Sequence, residues 1–503
     1  MKRFQPILIL ISAFLFASDI PAAEFQLIEP ALIQRVNLRD VVLQGIANNL
    51  DLKQQAYLSR EAEAGIGRAK GIYDFHLDST TSYSHDKREP LFIFASSKKI
   101  SFDSDTHLSR LFPTGTTLSL GWLQQWEENS FSATFNTLNP YWQMGFELKL
   151  TQPLLKNAFG FVTRRSIEQA KLAWQSASHV EKMKLEGTVA EIEAAFWELS
   201  HAAELYEIKK KGVEQADKLH EYNVRQSERG IAEKVDLFAS EAHAETRRGE
   251  LIAAEGVLIQ AGKRLKSLLD DVSPLYLLPS DRMLFSRGEA LRYQTESNKR
   301  ILDEALKKRF DLKAMKEEAE NAQLTVEIAR NGRLPQLNLM ASVTSTGLDK
   351  SYNNSIDKSA KYEKPVYFIG GTLFFPLENR EARYALKEAM YGYQRAEIRA
   401  AQLEHEIALE IERLSSQIRA TELAIENLLK AEELLNKKLS ERERQFRMGR
   451  VPLQLVIDDQ EHLLVAQTHS AEAIKNYKIL ETEWNLAQHS LAEKYGIRRE
   501  SGQ

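Results

Sequence analysis

Two periods of hydrophobic spacing alternate along this chain, and the alternation happens twice. A helical period predicts a first helix from about Leu38 to Lys70, broken near Gly65, Gly67 and Gly71. The period then drops to two. Trp142, Met144, Phe146, Leu148 and Leu150 are apolar, while Gln143, Glu147, Lys149 and Thr151 between them are polar. Leu118, Leu120, Trp122 and Trp126 repeat that pattern, as do Phe75 and Leu77 leading into Thr81 and Tyr83, with Ile100, Phe102 and Leu108 as a weaker example. Helical spacing returns from about Thr163 to Arg229, where Val189, Ile192, Phe196 and Leu199 form one seam. A break at Gly230-Ile231-Ala232-Glu233 leads into a return helix from about Lys234 to Leu269.

The second half repeats this order. Its strand candidates are two, Leu337 to Thr346 and Val366 to Phe375. Its long helix carries the seam Ile407, Ile411, Leu414 and Ile418, its break is Gly449-Arg450-Val451-Pro452, and its return helix runs from Leu453 to Tyr495. A shift of 260 lays Asp51-Leu52-Lys53 on Asp311-Leu312-Lys313, and a shift of 219 lays Glu191-Ile192-Glu193 on Glu410-Ile411-Glu412 and Gly230 on Gly449. The register changes only between Leu77 and Gln152, so the first copy carries extra strand length there. Copies of this size are duplicated supersecondary units, far longer than solenoid repeats. Each strand region ends at a proline, Gln152-Pro153-Leu154 and Phe375-Pro376-Leu377, which suits a strand end or a helix entry.

The strands have about the 9 to 11 residues that a tilted barrel strand needs, with one oily and one wet face. An ordinary half-buried sheet shows the same alternation. Context favours a barrel: Trp122, Trp126 and Trp142 lie in or at the ends of these strands, as an interfacial girdle would place them. The segments Asp86 to Lys98, Glu127 to Pro140 and Asp349 to Lys364 read as long polar external loops. The outgoing helices, at 1.5 Å per residue, would reach about 100 Å if continuous.

Composition narrows the class further. The 503 residues are 43% hydrophobic and 27% charged with 13 prolines, which favours extended helices, and a net charge of -4 supplies no basic stripe for nucleic acid. Lys2 and Arg3, an apolar run from Ile7 to Phe16 and small residues at Ala22 and Ala23 predict a secretory signal over residues 1–23. No cysteine is present, so neither a disulfide framework nor a lipid anchor is expected. No other segment reads as an apolar spanning helix, which leaves a closed barrel as the way to cross a membrane. The expected organisation is a first repeat over 24–269, a linker over 270–298, a second repeat over 299–497 and a tail over 498–503.

Chemistry is sparse. The histidines are scattered, and Gly65, Gly67 and Gly71 follow a helix rather than a strand, so they match a dinucleotide fingerprint poorly. Asp458, Asp459, Glu461 and His462 form the densest group of possible ligands, but acidic residues near a helix start favour the dipole reading over a metal site. No cofactor, metal or catalytic residue is expected, and the chain does not read as an enzyme.

Taken in order and twice over, Ala47-Asn48-Asn49-Leu50-Asp51-Leu52, Gln152-Pro153-Leu154-Leu155, Leu334-Pro335-Gln336-Leu337 and the two glycine turns resemble the TolC-like outer membrane efflux factors, from about Val36 to Ile497. The resemblance implies an α+β membrane protein: long antiparallel coiled-coil hairpins plus strands that join a trimeric transmembrane β-barrel. It implies a homotrimer in outer membrane lipid with a periplasmic helical tunnel, serving a tripartite efflux pump or a type I secretion system. The hairpin tips Arg229, Gly230, Ile231, Ala232, Gly449, Arg450, Val451 and Pro452 would dock on a periplasmic adaptor linked to an inner-membrane transporter. Constriction residues would follow the tip glycines, at Asp236, Leu455 and Asp458, and Phe446 stands where the resemblance implies a tyrosine. Family members usually give two strands per copy, twelve per trimer. The favoured reading of the surplus here is an added hairpin at an extracellular or barrel-rim position, with six strands per protomer as the other. The rival class is an exported periplasmic or surface coiled-coil scaffold or adaptor, with a hydrolase of envelope polymers a distant third.

Overall fold

The computed structural model describes residues 32–89, 98–129, 138–231, 233–280 and 295–497. The expected signal, the tail, parts of the first two external loops, much of the linker and Ala232 lie outside them.

Both long helical hairpins obey the 219 shift at every end. Helix α3 (Phe161–Glu228) and its repeat, numbered α8 in chain order (Arg380–Arg447), have 68 residues each. The return helices α4 (Lys234–Leu268) and α9 (Leu453–Ala487) have 35 each. The turns share one mechanism. Gly230 and Gly449 sit at φ 72° and 71°, and the next residue's N–H reaches back to the helix, Ile231 to the Gln226 carbonyl at 2.9 Å and Arg450 to the Gln445 carbonyl at 3.0 Å. This cap needs a left-handed residue, which glycine adopts without a Cβ clash.

The entry helices differ from expectation. The first breaks at Asn49, between α1 (Leu38–Asn48) and α2 (Leu50–Lys70), where the Asn49 side chain accepts from the Leu52 N–H at 3.0 Å. Helix α2 runs on through Gly65 and Gly67, whose absent side chains face open space. The second copy breaks at the position related by 260: α5 (Thr295–Lys308) and α6 (Phe310–Gly332) flank Arg309, at φ -58° and ψ 122°. The last return helix also ends earlier than its periodicity predicts. His489 takes φ 51°, and a single turn, α10 (Leu491–Lys494), follows.

The chain divides into two compact units. One comprises the described residues within 1–41, 192–286 and 421–479. In it the turn ends of both hairpins pack around buried Leu219, Leu439, Leu453, Val456 and Leu463. Strand β1 (Ile33–Val36) pairs in parallel with β6 (Tyr276–Pro279), which gives the linker structure of its own. Lys266 ties that segment to α4 through the Ser273 and Leu275 carbonyls.

The other unit comprises the described residues within 42–191, 287–420 and 480–503. Its helices bury the predicted seam, with Val189, Ile407, Ile411 and Leu414 at 0–2% exposure. The Arg309 guanidinium holds Asp311 at 2.6 Å and Glu410 at 2.5 Å, and Glu186 accepts the N–H groups of Leu491 and Ala492.

The same unit holds one antiparallel sheet of six strands, ordered β2-β3-β4-β5-β7-β8. They are β2 (Phe75–Asp86), β3 (Lys99–Leu111), β4 (Thr117–Asn129), β5 (Tyr141–Pro153), β7 (Gln336–Asp349) and β8 (Pro365–Phe374). All four strand candidates of the first copy are thus members of one sheet. The favoured reading of a hairpin set apart at the rim is corrected: β3 and β4 are paired along their whole length between β2 and β5. The reason is register, because their alternation continues that of their neighbours and keeps Phe102, Leu108, Leu120, Trp122 and Trp126 on the same face as Leu77 and Leu148. The segment after β7 is not a plain loop either. It contains α7 (Tyr352–Ala360), which packs on β5 and β7.

Candidate functional site

Two features are built to act: the hairpin tips and the sheet. At the tips, Arg229, Gly230, Ile231, Gly449, Arg450 and Pro452 are exposed and Val451 is half-buried. Asp236 is half-buried in the first turn of α4, its N–H bonded to the Glu233 carbonyl at 3.1 Å. Asp458 is half-buried on α9 and accepts from Gln454 at 2.8 Å. Leu455, one position before buried Val456, remains 37% exposed. Phe446 packs against the buried leucine cluster and lies 5.6 Å from the Tyr222 ring centroid, so its apolar ring is used inside the hairpin packing.

Periodicity gave no sign of the polar bonds that tie helix to helix within and between the hairpins. Asp459 is 5% exposed and accepts from Lys438 at 2.7 Å and Arg442 at 2.9 Å. Burial alone would raise its carboxyl pKa, but the two cations outweigh that and hold it below the usual range. Arg247, 3% exposed, bridges Glu250 on its own helix and Glu461 on α9, and Lys209 joins at Glu250. Nearby, His243 meets Gln460 at 3.1 Å, and burial, aided by the Arg247 charge, pushes its pKa down. The Arg247–Glu250 spacing of three was readable as a helix pair. The partners on different helices were not, because they are separated by 17 to 217 residues. Two of the acidic residues grouped by sequence, Asp459 and Glu461, are therefore engaged by cations of the fold.

The sheet sorts its residues by face. One row crosses all six strands as Leu77, Leu108, Leu120, Leu148, Val343 and Tyr367. A row nearer the loops is Tyr83, Phe102, Trp126 and Trp142. On the opposite face, Asp78, His107, Gly121, Glu147 and Thr344 stand in line, with Val366 at the end. Much of the oily face is open: Leu77 is 70% exposed, Leu120 52% and Phe146 41%. An apolar row that crosses all six strands demands a cover, and water is not a favourable one. Helix α7 closes only its loop end, where Tyr352 meets the Trp142 ring edge-on at 5.0 Å and Ser355 donates to the Trp142 carbonyl at 2.8 Å. Among the described residues no helix is long and apolar enough to cross a membrane.

A family model described as outer membrane efflux protein matches residues 301–492. A comparison with curated protein sequences found no match. Among solved structures, the CmeC outer membrane channel of Campylobacter jejuni superposes with a TM-score of 0.67 at 16% identity, covering 93% of this chain and 87% of that one. VceC, an outer membrane protein of Vibrio cholerae, gives 0.64 at 14%, covering 90% and 96%. The open-state MtrE outer membrane channel of Neisseria gonorrhoeae gives 0.63 at 12%, covering 93% and 91%. The chain thus has the fold of these channels over nine-tenths of its length, and its second repeat matches the outer membrane efflux protein family model.

Proposed function

We propose that the protein is a passive exit duct of the outer membrane, serving a tripartite efflux pump or a type I secretion system. The observation that carries this is the six-stranded sheet with one open apolar face, fused in both repeats to long helical hairpins. In lipid, every backbone polar group of a sheet must be paired, so a spanning sheet has to close on itself or on copies. Three copies would close the barrel and bring their hairpins together as a periplasmic tunnel. Export through the signal at residues 1–23 would deliver the chain there, held by the barrel alone. A periplasmic adaptor, coupled to an inner-membrane transporter, would engage the exposed tips around Gly230 and Gly449 and favour a splayed, open state. No step in this role needs a catalytic residue, metal or cofactor.

The test is extraction followed by reconstitution. The protein is expected to stay with outer membranes until detergent is added, and to give stepwise currents in planar bilayers. Release with the soluble periplasmic fraction would favour the scaffold class instead.

A further inference from the structure

We infer that each chain supplies six strands to the barrel wall, so that three chains close an 18-stranded barrel through pairing of β2 in one copy with β8 in the next. The number three rests on the duct reading above. The six rests on the sheet itself.

The extra hairpin is β3–β4, the pair by which the first repeat exceeds the second. It is built as wall. Each residue of β3 from Lys99 to Leu111 has a partner on β4, and all but Leu111 are equally matched along β2 from Phe75 to Asp86. Its own side chains obey the division of the sheet: Phe102, Leu108, Leu120, Trp122 and Trp126 on the oily face, Asp103, Asp105, His107 and Gln125 on the other. A hairpin standing in water beyond the rim would have no use for that stripe. Hydroxyl pairs lock the register against slipping, Ser79 with Thr106 at 2.9 Å and Thr81 with Ser104 at 3.0 Å.

Both edges are left ready. Among the described residues, strand β2 pairs only with β3, and β8 only with β7. These are 12- and 10-residue edges, long enough to span a barrel wall. Their exposed residues continue the same rows, Leu77 with Tyr367 and Phe75 with Ile369, so a second copy joined edge to edge extends the oily band without a break. Neither edge carries the lysines, prolines at mid-strand or bulges that proteins use to keep such edges single.

Size follows from strand number. At about 4.8 Å between strands and a tilt of about 40°, 18 strands give a backbone diameter of about 36 Å, against about 24 Å for 12. Barrels of that size leave an aqueous channel. The wall would then impose little sieving of its own, and selection by size would fall to the helical part of the duct.

The absence of cysteine permits a direct test in the full-length protein in its membrane. Ser79→Cys with Thr106→Cys should oxidise within one chain, reporting β2 beside β3. Leu77→Cys combined in turn with Tyr367→Cys, Ile369→Cys or Gly371→Cys should, in at least one pairing, link neighbouring chains into bands of two and three chain masses. Bond formation by Leu77→Cys with Leu148→Cys, together with failure of the Ser79/Thr106 pair, would place β2 directly beside β5 and overturn the proposal in favour of 12 strands. A Ser79/Thr106 bond with no interchain band in any variant would overturn it by leaving the edges unclosed. Failure of the duct reading itself looks different: the wild-type chain would leave with the soluble fraction.

Discussion

At the scale of single residues, the hairpin ends depend on a few buried charges. Asp459 and His243 both respond to acid, with different windows. His243 has its pKa lowered from the ordinary value of 6.5, so the unfolded chain binds its proton first, and stability falls as pH drops below that value. Asp459 has its pKa lowered from 3.8, so its contribution is complete above that value and is lost as pH falls through the folded one. Hydrogen exchange at α9 is therefore expected to accelerate in two stages on acidification. Asp459→Asn should remove the lower stage and cost about 1–3 kcal/mol at neutral pH, because Lys438 and Arg442 lose their charged acceptor. An unchanged exchange profile in that variant would show that the two cations find other partners.

At the scale of elements, α7 shows how a segment that reads as a polar loop becomes a packed helix. Ser345 and Ser359 exchange hydroxyl-to-carbonyl bonds at 2.7 and 2.8 Å, and Ser355 reaches β5. Such close approach needs a strand position without a side chain. Gly347 supplies it, since a Cβ there would collide with the Ser355 carbonyl and the Ser359 nitrogen. Gly347→Val should push α7 off the sheet at a cost of about 1–3 kcal/mol, read as faster tryptic cleavage after Lys358 and Lys361 in intact membranes. Equal cleavage rates would mean that α7 is held from its ends rather than by the sheet.

At the scale of the whole molecule, the two repeats make hairpins of equal length with unequal tips. Asp236 of the first corresponds to Leu455 of the second, while Asp458 lies three positions further on. In a closed ring of copies these carboxylates would repeat around one axis and favour cations through their summed field. Replacing Asp236 and Asp458 by alanine is expected to move the cation-to-anion permeability ratio toward unity, measured as a reversal-potential shift under a salt gradient in bilayers. No shift would remove them from the conduction path.

The chain alone determined whatever depends on local period and local chemistry. Alternation at Trp142 to Leu150 could only be a two-faced strand, the seam at Val189 and Ile407 could only be a buried helix face, and Gly230 and Gly449 ended their helices because a left-handed cap excludes most other residues. Tertiary structure decided what depends on partners far away in sequence. Whether β3 and β4 stood apart or joined the sheet was a question of pairing, and alternation is the same in both cases. The break at Asn49 rather than at Gly65 came from a cap that satisfies a backbone N–H, against glycines that a helix tolerates when nothing crowds them. The cations around Asp459 and Glu461 came from helices that meet only after the hairpins fold. A side chain's own neighbours set its conformation, but its charge is compensated by whatever the fold brings within reach.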